Sequence, residues 1–467
     1  MDPSLLILAL AGSIAGVAAM ALPGVHVNAL ALVVLALAPD SGERGVAFLL
    51  GALAGSPFGL ALGTTFLGAS TDDGAMPSLP AHALAAEGRG AQAVALQAWG
   101  AFAGIALALP MAAAMRPLIE SLPWGTLLPW LLLAVLVLLV ASERTRPPVH
   151  RRWTAVPWQA HVRARGPLQT GPRVGRYRFA DPHKILEAAR VGDEVEVELE
   201  ATWARGPLSR ASGMALAALT LALSGWLGWI ALRMGAASPL GLPASSLLPL
   251  LAGLFAVPSL LTMLRADHAP VHVRLRVHPP PRGELLRRVA PGALAASLLG
   301  LVPGITTSHV AALTPRAEHP ERALLTLGAV NGAAVVFGLL AWHALGKARH
   351  GALVAAQRIA APIAWHTTLP PPELLSEAAL VLLSAGAACL LARALARPAA
   401  AAPPRPLARM GLALVVLMTL ATCGLWGLSV LVAGALVGSV PVRLGVRRSL
   451  LMGAILVPAA LRAWGIG

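Results

Sequence analysis

The 467-residue chain is 57% hydrophobic, 12% charged and 4% aromatic, with a mean hydropathy of +0.72, which excludes an ordinary soluble protein. Its net charge of +15 would suggest nucleic acid as a partner of a soluble chain; here it reads as basic cytoplasmic loops of a polytopic α-helical membrane protein, with the lipid bilayer as its surroundings and no nucleic acid. Cys389 and Cys423 both lie in apolar segments and support neither a disulfide framework nor a metal site.

In chain order, the apolar runs predict a first helix over 4–22, retained rather than cleaved because it leads straight into a Pro-Gly break. Residues 27–39 are too short to span comfortably and suggest a half-helix. Helices follow at 46–68, 91–112, 124–141, 212–233, 244–264 and 286–302, then a short segment at 305–314. The remainder are 322–345, 351–366, 374–395, 407–423, 424–440 and 446–464. The expected fold is all-α, with about 10–12 transmembrane helices including two half-helices. The domains are a first membrane repeat (1–142), a basic cytoplasmic insertion (143–211), a central hairpin and loop (212–285) and a second membrane repeat (286–467).

Arginines cluster in 144–178, in 265–288, in 393–409 and at 443–448. The helix count places all four clusters on one side, the cytoplasmic side of an inner membrane, together with the N-terminus. Within the loops, residues 194–200 (Glu-Val-Glu-Val-Glu-Leu-Glu) and 271–278 (Val-His-Val-Arg-Leu-Arg-Val-His) alternate strictly, as half-buried strands do. One polar face is acidic and the other basic. Either they pair in a small β-containing cytoplasmic module, or they are unrelated pieces with solvated faces.

The most informative feature occurs twice. Gly12 precedes Leu22-Pro23-Gly24-Val25-His26-Val27-Asn28, and Gly292 precedes Val302-Pro303-Gly304-Ile305-Thr306-Thr307-Ser308-His309; in both, the proline falls eleven positions after the glycine. Proline removes a backbone donor and glycine relaxes the chain. Hydrocarbon cannot satisfy the freed backbone groups, so such breaks belong beside a polar cavity near the bilayer midplane. Paired breaks in two halves point to a transport site. The repeat extends further. Glu43-Arg44 precedes the motif Gly51-Ala52-Leu53-Ala54-Gly55, and Glu321-Arg322 precedes Gly328-Ala329-Val330-Asn331-Gly332. The helix count gives both copies the same orientation, and one miscounted half-helix inverts them.

At these residues the chain resembles the large membrane subunit of the tripartite tricarboxylate transporters, and within that family its stand-alone, mostly archaeal branch. The resemblance rests on residues 23–28, 66–73, 79–82, 87–90, 303–308, 346–352, 444–449 and 451–453. It implies a secondary permease for small organic anions such as carboxylates. In the full system a small membrane subunit and a periplasmic binding protein accompany it. The inserted basic loop and His26-Val27-Asn28 depart from the standard permease.

A helix restarting after Pro-Gly presents free N–H groups and a positive dipole end, which suits an anion. The candidate substrate-binding residues are therefore Pro23, Gly24, His26, Asn28, Pro303, Gly304, Thr306, Thr307, Ser308 and Asn331. The alternative is that the polar ones only cap half-helices, and that Asn331 only bonds a neighbouring helix. Asp72 and Asp73 are candidates for a coupling ion, against the reading that they close a solvated loop. Sodium and proton are both open, because the helices carry few internal charges. No cofactor is expected. Without a P-loop, a nucleophile elbow or a zinc motif, hydrolytic and nucleotide-driven chemistry lack support. The second function class is a membrane-embedded lipid-handling enzyme or scaffold with a basic cytoplasmic module.

Overall fold

The computed structural model describes residues 2–67, 80–82, 84–85, 87–141, 143, 207–242, 244–265, 277–301, 305, 310, 319–348, 350–363, 365, 367 and 369–466. The strand-like segments 194–200 and 271–276, the second break at 302–304 and 306–309, and the Asp72–Asp73 pair lie outside the described residues.

Among the described residues all regular structure is helical. The helices are α1 (Pro3–Ala21), α2 (Val27–Leu37), α3 (Gly42–Leu62), which runs on into a π-helical turn at Gly63–Leu67, α4 (Gly90–Ser121), α5 (Trp124–Ala141) and α6 (Pro207–Arg233). Next come α7 (Leu247–Arg265), α8 (Arg282–Leu301), α9 (Pro320–Leu345), α10 (Gly351–Ile359) and α11 (Pro372–Ala401). Pro404–Leu444 is two helices, because Gly424 adopts φ 58°, ψ −151° inside it. We number them α12 (404–423) and α13 (425–444). The chain folds back there: Val415 and Leu431, on either side of the turn, pack into one cluster with Val257. A final helix, α14, covers Gly453–Ala463.

Nine described helical stretches are long and apolar enough to cross a bilayer, and the reversal at Gly424 makes them ten. Two expected crossings are shorter than the sequence suggests. Residues 351–366 hold only the nine-residue α10, and 446–464 form a 3-10 turn at Arg448–Met452 followed by the eleven-residue α14.

Close glycine contacts set the centre of the bundle. A side chain on Gly51, Gly55 or Gly59 of α3 would strike the main chain of Ala9, Ser13 or Val17 of α1. Likewise Gly328 and Gly332 of α9 lie against the main chain of Gln97 and Ala101 of α4. Without a hydrophobic drive between helices in lipid, such backbone approach supplies the packing attraction. In both pairs the numbers rise together, so α1 runs parallel to α3, and α4 runs parallel to α9.

The other registers follow from side chains. Ser13 Oγ donates to the Ser384 carbonyl at 2.9 Å and Ala9 clusters with Leu380, so α11 runs parallel to α1. Arg393 lies over Trp99 while Gly386 sits beside Phe102, so α11 opposes α4. Glu284 of α8 pairs with Arg322 of α9, and Gly292 abuts Thr326 one turn on, so α8 is parallel to α9. Thus α1, α3 and α11 run one way, and α4, α8 and α9 the other.

This differs from the helix count made on the sequence. The count gives α1 and α8 the same direction, whereas they are opposed. It also puts the start of α1 beside the arginine clusters, whereas α1 begins at the opposite end from Arg393, Arg397, Arg405 and Arg409. The reason is α2. With its extended flanks it carries the chain from the end of α1 back to the level where α1 started, so it counts as a full return. The described arginines of the other clusters share the end marked by Arg393. Arg448 donates to Ser259 Oγ at 3.0 Å, and Arg447 pairs with Glu143 at the start of the basic insertion.

Candidate functional site

The 19-residue α1 rises about 28 Å, nearly the hydrocarbon thickness of a bilayer. Pro23-Gly24 therefore lies beyond a complete helix rather than in the middle of one. Gly24 takes φ +86°, a left-handed conformation. The Pro23 carbonyl packs directly on Gly411 of α12, and Leu260 of α7 crowds Gly24.

From there the chain runs back into the bundle. His26 is the N-cap of α2, and its Nδ1 accepts the Asn28 N–H at 3.2 Å. The Asn28 side chain turns away from its own helix: its Oδ1 accepts the Gly351 N–H at 3.1 Å, and Gly351 is the first residue of α10. The residue before it, His350, places Nε2 at 3.3 Å from the Ala334 carbonyl. Ala334 is at the middle of the 26-residue α9.

Two short helices therefore start side by side at the mid-depth of a central helix. The segment after α9 turns at Gly346, dips back to His350 and restarts as α10, so α10 is a re-entrant half-helix like α2. Two helix N-termini converge there, each with a positive dipole end, the Asn28 N–H being held by His26 and the Gly351 N–H by Asn28. In this arrangement His26 and Asn28 both act as caps, Asn28 for the other half-helix.

A second polar group lies nearby in depth. In the π-helical turn after α3, Thr65 Oγ1 donates to the Ala61 carbonyl at 2.7 Å, and Thr64 Oγ1 lies 3.2 Å from both that carbonyl and Gln97 Oε1. Gln97 Nε2 donates to Thr65 Oγ1 and to the Ala93 carbonyl. All three side chains are buried. Hydroxyls and a carboxamide thus satisfy the backbone that the π-turn disturbs, as lipid-excluded irregular backbone requires. Gln97 abuts Gly328, and Asn331 follows one turn later on α9, one turn before Ala334. Neutral donors and acceptors are therefore spread along the central helices α3, α4 and α9. Just outside, burial pushes the His82 imidazole below its usual value, with a bond to the Thr65 backbone opposing that shift.

The sequence reading named Pro23, Gly24, His26, Asn28 and Asn331, and these are described. It missed Thr64, Thr65, Gln97, His350 and Gly351. The adjacent Thr-Thr after a Gly in an apolar run was a usable signal. The re-entrant start at His350-Gly351 was hidden by an apolar stretch long enough to pass for a spanning helix. Of the remaining candidates, Pro303, Gly304, Thr306, Thr307, Ser308, Asp72 and Asp73 lie outside the described residues. Arg89, which neighbours the acidic loop, pairs with Glu321 at the start of α9 and with Glu87. Among the described residues no group of three or more His, Cys, Asp or Glu side chains could hold a metal ion.

A family model described as the tripartite tricarboxylate transporter TctA family matches residues 6–453. Nothing among curated proteins or solved structures matches the chain. The match spans the bundle from α1 to the start of α14, with both half-helices inside it, and on that breadth the chain belongs to the tripartite tricarboxylate transporter TctA family.

Proposed function

We propose that this protein is a secondary carrier for small organic anions, carboxylates above all, which it binds where half-helices restart in the middle of the bundle. Membership of the family makes it a membrane permease component and not an enzyme. The observation that carries the finer reading is the meeting of α2 and α10 at mid-depth through Asn28 and Gly351. An anion there is held by helix N-terminal N–H groups, hydroxyls and carboxamides, without a buried positive charge. His26, Asn28 and Asn331 supply one wall. Residues 303–308 are further candidates of this reading, as the second copy of the duplicated motif in the sequence. The opposed directions of α1/α3 and α8/α9 support that duplication, as does the matching approach of Gly12 to Phe48 and of Gly292 to Thr326.

The arginine-rich end faces the cytoplasm of an inner membrane, so the start of α1 faces outward. A sodium ion or a proton drives uptake, with Asp72 and Asp73 as candidates for holding it. A small membrane subunit and a periplasmic binding protein are the partners that this reading expects. The test is uptake of radiolabelled di- and tricarboxylates by proteoliposomes, with and without a sodium or pH gradient. Gradient-dependent accumulation supports the carrier. Absence of uptake for the whole anion panel, with the protein intact, overturns it.

A further inference from the structure

We propose that His343 and Glu377 form a proton-binding site that holds the backbone at Ile363 when the imidazole is neutral and releases it when the imidazole is protonated. The site lies at the end of the bundle opposite the arginine clusters. His343 is in the last turn of α9 and Glu377 near the start of α11. Between α4, α9 and α11 is a half-open cavity of about 400 Å³, lined also by Trp365 and Pro370. Among the described residues its lining is apolar except for this pair, the only ionisable groups among them. The imidazole is 1% exposed and the carboxylate 15%. Ionisable groups at such positions are costly in a membrane protein and point to a functional site.

The hydrogen bonds fix the protonation state. His343 Nδ1 accepts the Ile363 backbone N–H at 3.1 Å, so the ring proton sits on Nε2 and is donated to Glu377 Oε2 at 2.8 Å. A neutral imidazole has one acceptor nitrogen, and an imidazolium has none. A proton added to the ring must therefore land on Nδ1. It takes the lone pair that holds Ile363, and the carboxylate stays opposite the new cation as counter-charge. The proton goes from solvent to Nδ1, no covalent bond is made or broken elsewhere, and the Ile363 N–H loses its acceptor.

Segment 360–371 joins α10 to α11. α10 is only nine residues long, and its other end is the Gly351 N–H held by Asn28. Release at Ile363 thus frees the far end of the half-helix that reaches the candidate anion site. That link makes the proton the coupling ion, a clause that rests on the carrier reading. The latch itself does not.

The charged groups on the packed elements are few. α4 brings Arg116 and Glu120, paired with each other at 2.8 Å, and Arg116 also donates to the Thr367 carbonyl and stacks 4.6 Å from Trp365. α11 adds Glu373, one turn before Glu377, and α10 adds the exposed Arg358. α9 carries no other charged group between Val336 and Leu345, and the segment itself carries His366, outside the described residues.

The test uses the full chain in lipid nanodiscs. In a Cys389→Ala, Cys423→Ala background, a spin label is placed at Leu369→Cys, where the side chain is 76% exposed. Its mobility is followed from about pH 8 to about pH 5, the range of a histidine switch. The expected result is a single transition to greater mobility on acidification. It is absent in His343→Gln, whose amide oxygen can still accept from Ile363 but takes no proton. In Glu377→Gln the midpoint of the transition changes, because the imidazolium loses its counter-charge. In Arg116→Gln mobility rises at every pH while the transition remains. A parent without a transition, or an unchanged transition in His343→Gln, overturns the proposal. Should His343→Gln not fold, an unchanged midpoint in Glu377→Gln overturns it equally. No substrate enters this measurement, so its failure is distinct from failure of anion uptake.

Discussion

The side chain of Asn28 and the backbone of Gly351, 323 positions apart in sequence, share one hydrogen bond of 3.1 Å at the middle of the bundle. It ties the half-helix of the first half of the chain to the re-entrant helix of the second. One side chain thereby sets the spacing of two helix N-termini.

Replacing Asn28 with Ala removes a cap from α10 and a donor from the candidate site. The cap costs about 1 kcal/mol of stability. Loss of a bond to a charged carboxylate costs about 1.5–3 kcal/mol, or roughly ten- to a hundredfold in apparent affinity. Gly351→Ala reaches the same end differently, since a methyl there strikes the Asn28 carboxamide. Both variants should express and remain monodisperse. Uptake at parental affinity in both would reduce Asn28 to a structural cap.

Gly51→Leu should prevent α1 from seating against α3, because the obstacle is the Ala9 main chain rather than a movable side chain. The loss should exceed the 1–3 kcal/mol of ordinary overpacking. Gly125→Leu is the control, with nothing within 4 Å of the added carbon. Size-exclusion profiles after mild heating compare the two, and equal behaviour would refute this account of the packing.

Gly424→Ala places a side chain at φ 58°, ψ −151°, a region open to glycine alone. A loss of about 1–3 kcal/mol is expected, read as a lower unfolding temperature. The break should become more susceptible to proteolysis. An unaltered melting temperature would mean that α12 and α13 do not reverse there.

Opposed helix directions make a topological prediction. In the cysteine-free background, Ser4→Cys should react with an impermeant maleimide on intact cells. Arg397→Cys should react only after permeabilisation. Equal accessibility from outside would contradict the parallel course of α1 and α11, which puts Ser4 and Arg397 at opposite ends of the bundle.

Much of the architecture was legible in the sequence, for reasons that can be named. Long apolar runs need no partner to be recognised, because lipid forces every spanning backbone into helices. The boundary expected between 407–423 and 424–440 falls at Gly424, where α12 and α13 separate. The first Pro-Gly break announced α2, since no continuous helix passes Pro23. By contrast α10 looked like part of a longer crossing, because nothing local tells a helix that dips and returns from one that passes through.

What the sequence determined by itself is the class of molecule, the half-helix after Pro23, and the family seen in the motifs around both breaks. These depend on local chemistry: hydropathy, the missing proline donor and the spacing of glycines. Only the tertiary structure decided that α1 and α8 run in opposite directions, that Asn28 reaches Gly351, that Thr64, Thr65 and Gln97 share one polar group, and that His343 holds Ile363. Each of these depends on whether a half-helix returns the chain to the side it came from. That is fixed by what the half-helix packs against, Gly351 for α2 and Ala334 for α10, and not by its own residues.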